Sequence, residues 1–210
     1  MFTGKSFRVV LFALALVFAV NVSALAQDDE DDVNPNAQAA RQAVQRLSSA
    51  DPLLRQQAAE ELARLSANEQ QKMVQGYYMQ EKNSRVKLAL AWALYRMTKN
   101  EMLFAVVRDL DSSRALQAAG YLRTLDDATP LYMFLSNAKP KLQVELLKVL
   151  ADIGDQTTLA QIKPLTESYD LKVSAAAQRA TQTISERLAN TQPDTPQRPR
   201  QVGQTNTTSP

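Results

Sequence analysis

The side chains best suited to chemistry in this chain are two pairs of adjacent carboxylates. Glu60 and Glu61 form one pair, and Asp126 and Asp127 form the other. Paired carboxylates can serve as a general acid and a general base. Adjacent residues of a helix point in different directions, however, and no third polar group of the sequence converges on either pair. We therefore predict no catalytic residues and expect that the protein is not an enzyme.

Other catalytic chemistries are excluded by composition, because the chain contains no histidine and no cysteine. Their absence removes imidazole bases, thiolate nucleophiles, disulfides and nearly all zinc, haem and iron-sulfur ligation. Five consecutive acidic residues at 28–32 lack the glycine turn and the spaced ligands of a calcium loop. The sequence therefore predicts no cofactor and no metal site.

The beginning of the chain is typical of a secretory signal peptide. Lys5 and Arg8 precede an apolar run at 9–20, and the small residues Ala24 and Ala26 follow it. The pattern predicts cleavage after Ala26, secretion, and the bacterial periplasm as the compartment. The alternative is an uncleaved anchor, although the run is shorter than the roughly 20 residues that span a bilayer.

The remaining chain divides by composition. The acidic run and the proline-containing polar end have compositions that are typical of disordered segments. The predicted organisation is a signal peptide at 1–26, an acidic disordered segment at 27–33, a helical repeat domain at 34–190 and a disordered polar tail at 191–210. Removing Lys5 and Arg8 from 24 basic and 22 acidic residues leaves a formally neutral chain. We expect no nucleic-acid partner, no stable membrane anchor after cleavage, and a monomer.

The middle of the chain repeats one pattern five times. Each copy has an anchor residue, with mostly apolar residues eight and eleven positions later, and the anchors lie 28 to 32 residues apart. The anchors are Leu54, Val86, Arg114, Leu142 and Val173. A fixed period in this range is typical of stacked units, none of which buries its apolar face alone.

Each copy is predicted to pair an A helix with a B helix, because glycine is scarce and apolar residues recur at spacings of three and four. The A helices are predicted at about 35–49, 69–80, 102–110, 129–137 and 157–167, and the B helices at 54–65, 86–97, 114–125, 142–153 and 173–184. Residues that start helices precede the B helices: Asp51-Pro52, Asn83-Ser84, Asp111-Ser112, Lys139-Pro140 and Asp170. Pro164 should bend the last A helix.

Two copies carry the pattern most completely. One reads DPLLRQQAAEELARL from Asp51 to Leu65, and the other begins DLKVSAAA at Asp170 and ends in Ile184. A turn aspartate, a basic residue near the start of the B helix and an alanine-rich stretch that ends in leucine resemble HEAT repeats. The period is similar to that of the short bacterial HEAT-like repeats of the phycobilisome-lyase type, over roughly residues 34–190.

The resemblance implies an all-α fold, an α-solenoid of about five antiparallel helix pairs that serves as a binding scaffold. It carries over no catalytic residue. Two residues depart from the repeat pattern. Arg114 replaces an apolar anchor, and Lys139 replaces a turn aspartate.

Basic residues near the start of every B helix form a predicted ladder. Its members are Arg55, Arg85, Lys87, Arg114, Lys141 and Lys172. One interpretation is a positive stripe that binds an acidic partner or this chain's own residues 28–32. The favoured one is pairing with the turn acids Asp51, Asp111 and Asp170, which would hold the repeats in register.

Trp92 is the residue that the repeat pattern does not explain. Its equivalents are Glu60, Gly120, Lys148 and Arg179, so the fold does not require an apolar group there. Leu88, Trp92, Tyr95 and Arg96 lie at helical spacing and are the candidate partner-binding residues. The favoured alternative is core packing, in which the missing side chain of Gly120 makes room for the indole.

These patterns predict a secreted, non-catalytic scaffold that binds a protein or peptide in the cell envelope. A structural spacer between envelope components is one alternative. A lyase-type enzyme, or its accessory subunit, is another, suggested by the repeat type.

Overall fold

The structure, a computed structural model, describes residues 34–191. This part of the chain contains ten α-helices and four 3-10 helices and no strand, which confirms the all-α prediction. The α-helices are α1 (Pro35–Arg46), α2 (Pro52–Arg64), α3 (Gln71–Gln80), α4 (Ser84–Arg96), α5 (Leu103–Arg108), α6 (Ala115–Leu122), α7 (Thr129–Tyr132), α8 (Pro140–Ile153), α9 (Gln156–Ile162) and α10 (Leu171–Thr191). The 3-10 helices are Asn68–Gln70, Asn100–Met102, Asp109–Asp111 and Lys163–Glu167. The predicted signal peptide, the acidic segment and the tail from residue 192 lie outside the described residues.

Five α-helices, α2, α4, α6, α8 and α10, correspond to the predicted B helices. Three of them begin at the predicted side-chain caps. Asp51 accepts a hydrogen bond from the Leu53 amide at 2.8 Å, and Asn83 and Asp170 cap α4 and α10 in the same way. Such a cap satisfies an amide that the first turn leaves without a partner.

In the third copy, Ser112 of the predicted Asp111-Ser112 pair supplies the accepting oxygen, whereas Asp111 does not. Asp111 belongs to the preceding 3-10 helix, and the Ser112 hydroxyl accepts from the Arg114 amide at 3.0 Å instead. The helix therefore begins later, at Ala115, and is only eight residues long.

The A helices are shorter than predicted. Only Thr129–Tyr132 of the predicted 129–137 helix is α-helical. The amides of Phe134 and Leu135 bond to carbonyls three residues back, so this segment continues as tight turns. Pro164 has no backbone N–H to donate to an α-helical hydrogen bond. The chain changes at Lys163 from α9 into a 3-10 helix and does not continue as one bent helix.

The core is formed mainly by the B helices and the residues that cover them. The residues eight positions after the anchors in the first four copies, Leu62, Leu94, Leu122 and Leu150, are all buried. The B helices contact one another in chain order, from α2 with α4 through to α8 with α10. The first and last of these pairs pack extensively, whereas α6 contacts α4 and α8 more sparsely.

The first two B helices end in the same way. Ser66 and Thr98, which are 32 positions apart, have φ values of 47° and 69°. In α2, the Ser66 and Ala67 amides bond back to the Ala63 and Leu62 carbonyls, which is a Schellman cap. Thr98 and the residue after it close α4 with the same two bonds.

Candidate functional site

Trp92 lies in the middle of α4 and is only 5% exposed. Its ring stacks on Tyr121 with the centroids 5.7 Å apart and the planes at 6°. Tyr95 contacts the indole at 5.5 Å, and the Arg96 guanidinium lies 5.9 Å from the ring centroid. Leu88 is also buried, so two of the four candidate residues lie inside, while Tyr95 and Arg96 are partly exposed beside them.

The predicted reason for this packing is wrong. A Cβ atom on Gly120 would meet nothing within 4 Å, so the absence of a side chain there does not make room for the indole. The stacking partner is the next residue, Tyr121, which the sequence did not single out. Its signal was weak, because one aromatic residue on a short helix is ordinary and the repeat pattern does not mark its position.

Tyr121 on α6 contacts two other B helices, α4 through its ring and α2 through its hydroxyl. The hydroxyl donates to Oε1 of Glu60 on α2 at 2.6 Å and accepts from Gln117 at 2.7 Å. Gln56 donates to the same Glu60 oxygen at 2.9 Å. Burial, and then the hydrogen bond to Glu60, raise the pKa of Tyr121 far above its usual value. The phenol therefore stays protonated and remains a donor.

A groove with a volume of about 380 Å³ lies at this cluster. It is lined by Glu60, Ala63, Arg64, Trp92, Arg96, Tyr121 and Thr124. We call it the aromatic groove. It combines an aromatic edge with two guanidinium groups, a combination enriched where proteins bind proteins.

The paired carboxylates do not converge in the structure. Glu60 bonds to Tyr121, whereas Glu61 pairs with Arg64 at 2.7 Å, which lowers the pKa of the Glu61 carboxyl. In the second pair, Asp127 accepts from Thr129, while Asp126 lies 3.9 Å from a guanidinium nitrogen of Arg96. Each carboxylate of the two pairs is therefore directed at a different group.

A second groove, of about 410 Å³, lies between α8 and α10. It is lined by Val144, Leu147, Lys148, Ala151, Leu171, Lys172, Ala175, Ala176, Arg179, Ala180 and Thr183. We call it the basic groove. Lys148 and Arg179 are repeat equivalents of Trp92, as is Glu60 in the aromatic groove. The fifth equivalent, Gly120, is exposed.

The basic ladder pairs differently from the prediction. Arg55 binds Glu81 at 2.8 Å, and Arg114 binds Asp109 at 2.7 Å. Of the turn acids, Asp111 alone pairs with a ladder residue in the described part of the chain, at 2.5 Å from Lys141. Asp51 and Asp170 cap helices instead, because their oxygens accept from the amides of the first turn.

No group of three or more acidic side chains within residues 34–191 is arranged to hold a metal ion. No helix there combines the length and the apolar composition that crossing a membrane requires.

Comparisons with known proteins give little. No protein-family model matches the chain, and no curated protein matches it. Among solved structures, the chain is similar to an engineered protein from the Northeast Structural Genomics Consortium, with 21% identity and a TM-score of 0.34. That match covers 70% of this chain and 79% of the engineered one.

Proposed function

We propose that the protein is a secreted, non-catalytic, HEAT-like α-solenoid that binds a protein partner in the cell envelope. The binding surface is the side of the B helices that carries the repeat equivalents of Trp92. The solenoid is supported by the contacts of the B helices in chain order and by the equivalent Schellman caps after α2 and α4.

One observation carries the binding proposal. Four of the five repeat-equivalent positions line two open grooves, and the fifth, Gly120, faces open space. Trp92 is the exception, because its ring is buried against Tyr121 and only borders the groove. The other four positions are partly or fully exposed, so they can contact another molecule.

Two observations support a binding role rather than catalysis. The paired carboxylates are held by separate partners, which disfavours their joint action as an acid and a base on one substrate atom. The aromatic groove is bounded by a stacked ring pair, which suits a protein side chain that lies against it.

A pair of glycine variants tests the binding surface. Gly120 on α6 and Gly76 on α3 are both exposed, and a Cβ on either would meet nothing within 4 Å. Gly120→Arg places a long side chain on the proposed surface, whereas Gly76→Arg places the same side chain on an A helix. Both variants should fold with unchanged or slightly higher melting temperatures.

The proteins that copurify with the exported chain are then quantified for each variant. The proposal expects a stoichiometric partner that the original chain and Gly76→Arg retain and Gly120→Arg loses. Equal retention by both variants, or no stoichiometric partner, would contradict it. Turnover of a small molecule by the purified chain would support the lyase alternative instead.

Secretion is tested separately by cell fractionation. The proposal expects the chain in the periplasmic fraction, with an N-terminus at Gln27 by mass spectrometry. A cytoplasmic product that retains Met1 would contradict it.

A further inference from the structure

The basic groove has an apolar floor. Small and branched apolar side chains from α8 and α10, among them Val144, Leu147, Ala151 and Ala176, form this floor. Leu171 at the start of α10 is 84% exposed beside it. Burying this surface under a peptide would remove apolar area from water and favour binding.

The rim of the groove carries three cations. Lys148 pairs with Glu145 of its own helix at 2.7 Å. Lys172 and Arg179 have no carboxylate within 4.0 Å among the described residues. The rim is therefore positively charged and complementary to an acidic segment.

The chain itself contains such a segment. Residues 28–32 are five consecutive acids, followed by the apolar Val33 and by Asn34, the cap of α1. They hold 5 of the 22 acidic residues of the chain. These five negative charges are opposite in sign to the three cations of the rim, and Val33 offers one apolar group to the floor.

The segment cannot reach this groove in its own molecule. The helix α1 contacts α2, and the B helices then contact one another in order up to α10. Four steps between packed helices at roughly 8 to 10 Å each exceed 30 Å. Six extended residues span only about 21 Å.

We propose that the basic groove binds the acidic segment 28–32 of a second copy of this chain. The acidic segment of one copy and the basic groove of the next are different surfaces, so the contact joins copies head to tail. Exposed ion pairs contribute little individually, so the association is weak and the chain stays monomeric in dilute solution. This self-association goes beyond the proposed partner binding and uses the part of that surface that α8 and α10 form.

The first experiment uses a fluorescent peptide with the sequence of residues 27–34, QDDEDDVN, titrated with the exported chain and followed by anisotropy. The peptide should bind, and added salt should weaken binding because exposed charges are screened. The double variant K172E/R179E should lower the affinity by about tenfold, which corresponds to about 1.4 kcal/mol for the loss of two exposed pairs. Both side chains are exposed, so the fold should not change.

Matched controls locate the site. The variant K72E/K82E reverses two exposed lysines on and just after α3 and should leave binding unchanged. The peptide QNNQNNVN lacks the charges and should not bind. An octapeptide of glutamate that binds as tightly as QDDEDDVN would overturn the assignment to this segment and indicate a general site for acidic partners.

The second experiment measures self-association of the exported chain by sedimentation equilibrium. The chain should associate as its concentration rises, and the variant D28N/D29N/E30Q/D31N/D32N should remain monomeric. No binding of QDDEDDVN, equal binding by K172E/R179E, or equal sedimentation of the two chains would each overturn the proposal.

Discussion

Trp92 shows how far a single residue can be interpreted from the repeat pattern. Alignment of the copies marked it as unexplained, and the structure places it in the interior against Tyr121. The partner could not be predicted, because which ring meets which depends on the rotation between successive repeats. The sequence does not encode that rotation in any local signal.

Replacing Trp92 by alanine should lower the free energy of unfolding by about 3 to 5 kcal/mol, because it removes a buried ring and leaves a cavity. Urea unfolding at pH 7 measures the loss. Leu116→Ala is the control: this side chain is 89% exposed and should change stability by less than about 0.5 kcal/mol. Similar losses in the two variants would show that the stacked pair does not hold the repeats together.

Tyr121→Phe removes one hydroxyl and keeps the stacked ring. Glu60 loses one of its two donors, and Gln117 loses an acceptor, which should cost about 1 to 2 kcal/mol of stability. Tyr169→Phe is the matched control, because Tyr169 is fully exposed. An unchanged denaturation midpoint in Tyr121→Phe would mean that this network contributes nothing to stability.

At the scale of helices, the sequence predicts B helices well and A helices less well. Caps such as Asp51 and Asn83 are local signals, and the structure uses both. The prediction of an A helix at 129–137 is wrong, because only one turn of α-helix forms there and tight turns follow. Tertiary packing decides that segment, because Leu131 within the helix and Leu135 after its end are both buried.

Replacement by alanine should change stability in different directions at three glycines, two within helices and one at the end of α8. Gly76→Ala and Gly120→Ala should each stabilise the protein by about 0.5 to 1 kcal/mol, since both sites are open and helical. Gly154→Ala should destabilise it by about 1 to 3 kcal/mol, because the new Cβ would lie 2.5 Å from the Leu150 carbonyl oxygen and 2.7 Å from Thr158.

Thermal unfolding of the three alanine variants gives the order of stabilities. The expected order is Gly120→Ala and Gly76→Ala above the original chain, and Gly154→Ala below it. A lower melting temperature for Gly120→Ala would contradict the open space beside this glycine.

The whole molecule should have a broad plateau of stability with pH. It has no histidine or cysteine to titrate near neutrality. Ion pairing with Arg55 lowers the pKa of the Glu81 carboxyl, and hydrogen bonds from Thr158 lower the pKa of Asp155. Burial raises the pKa of the Tyr95 and Tyr121 phenols.

The signs follow from these directions. A carboxyl group whose pKa is lowered by folding stabilises the fold at pH values above its unfolded pKa near 4, and this stabilisation is lost as the pH falls. A phenol whose pKa is raised by folding stabilises the fold at pH values below its unfolded pKa near 10, and this stabilisation is lost as the pH rises. Denaturant unfolding should therefore give a constant free energy between about pH 5 and 9. A step between pH 6 and 8 would contradict this account.

The uneven packing of α6 has a mechanical consequence. It is the shortest of the five B helices within residues 34–191, and its contacts with α4 and α8 are sparse beside those of α2 with α4 and of α8 with α10. Pulled from its two ends, the molecule should extend first at α6, while the pairs on either side stay intact. The aromatic groove, which needs Tyr121 of α6, would then open before the basic groove between α8 and α10, so tension would abolish the two grooves in a fixed order.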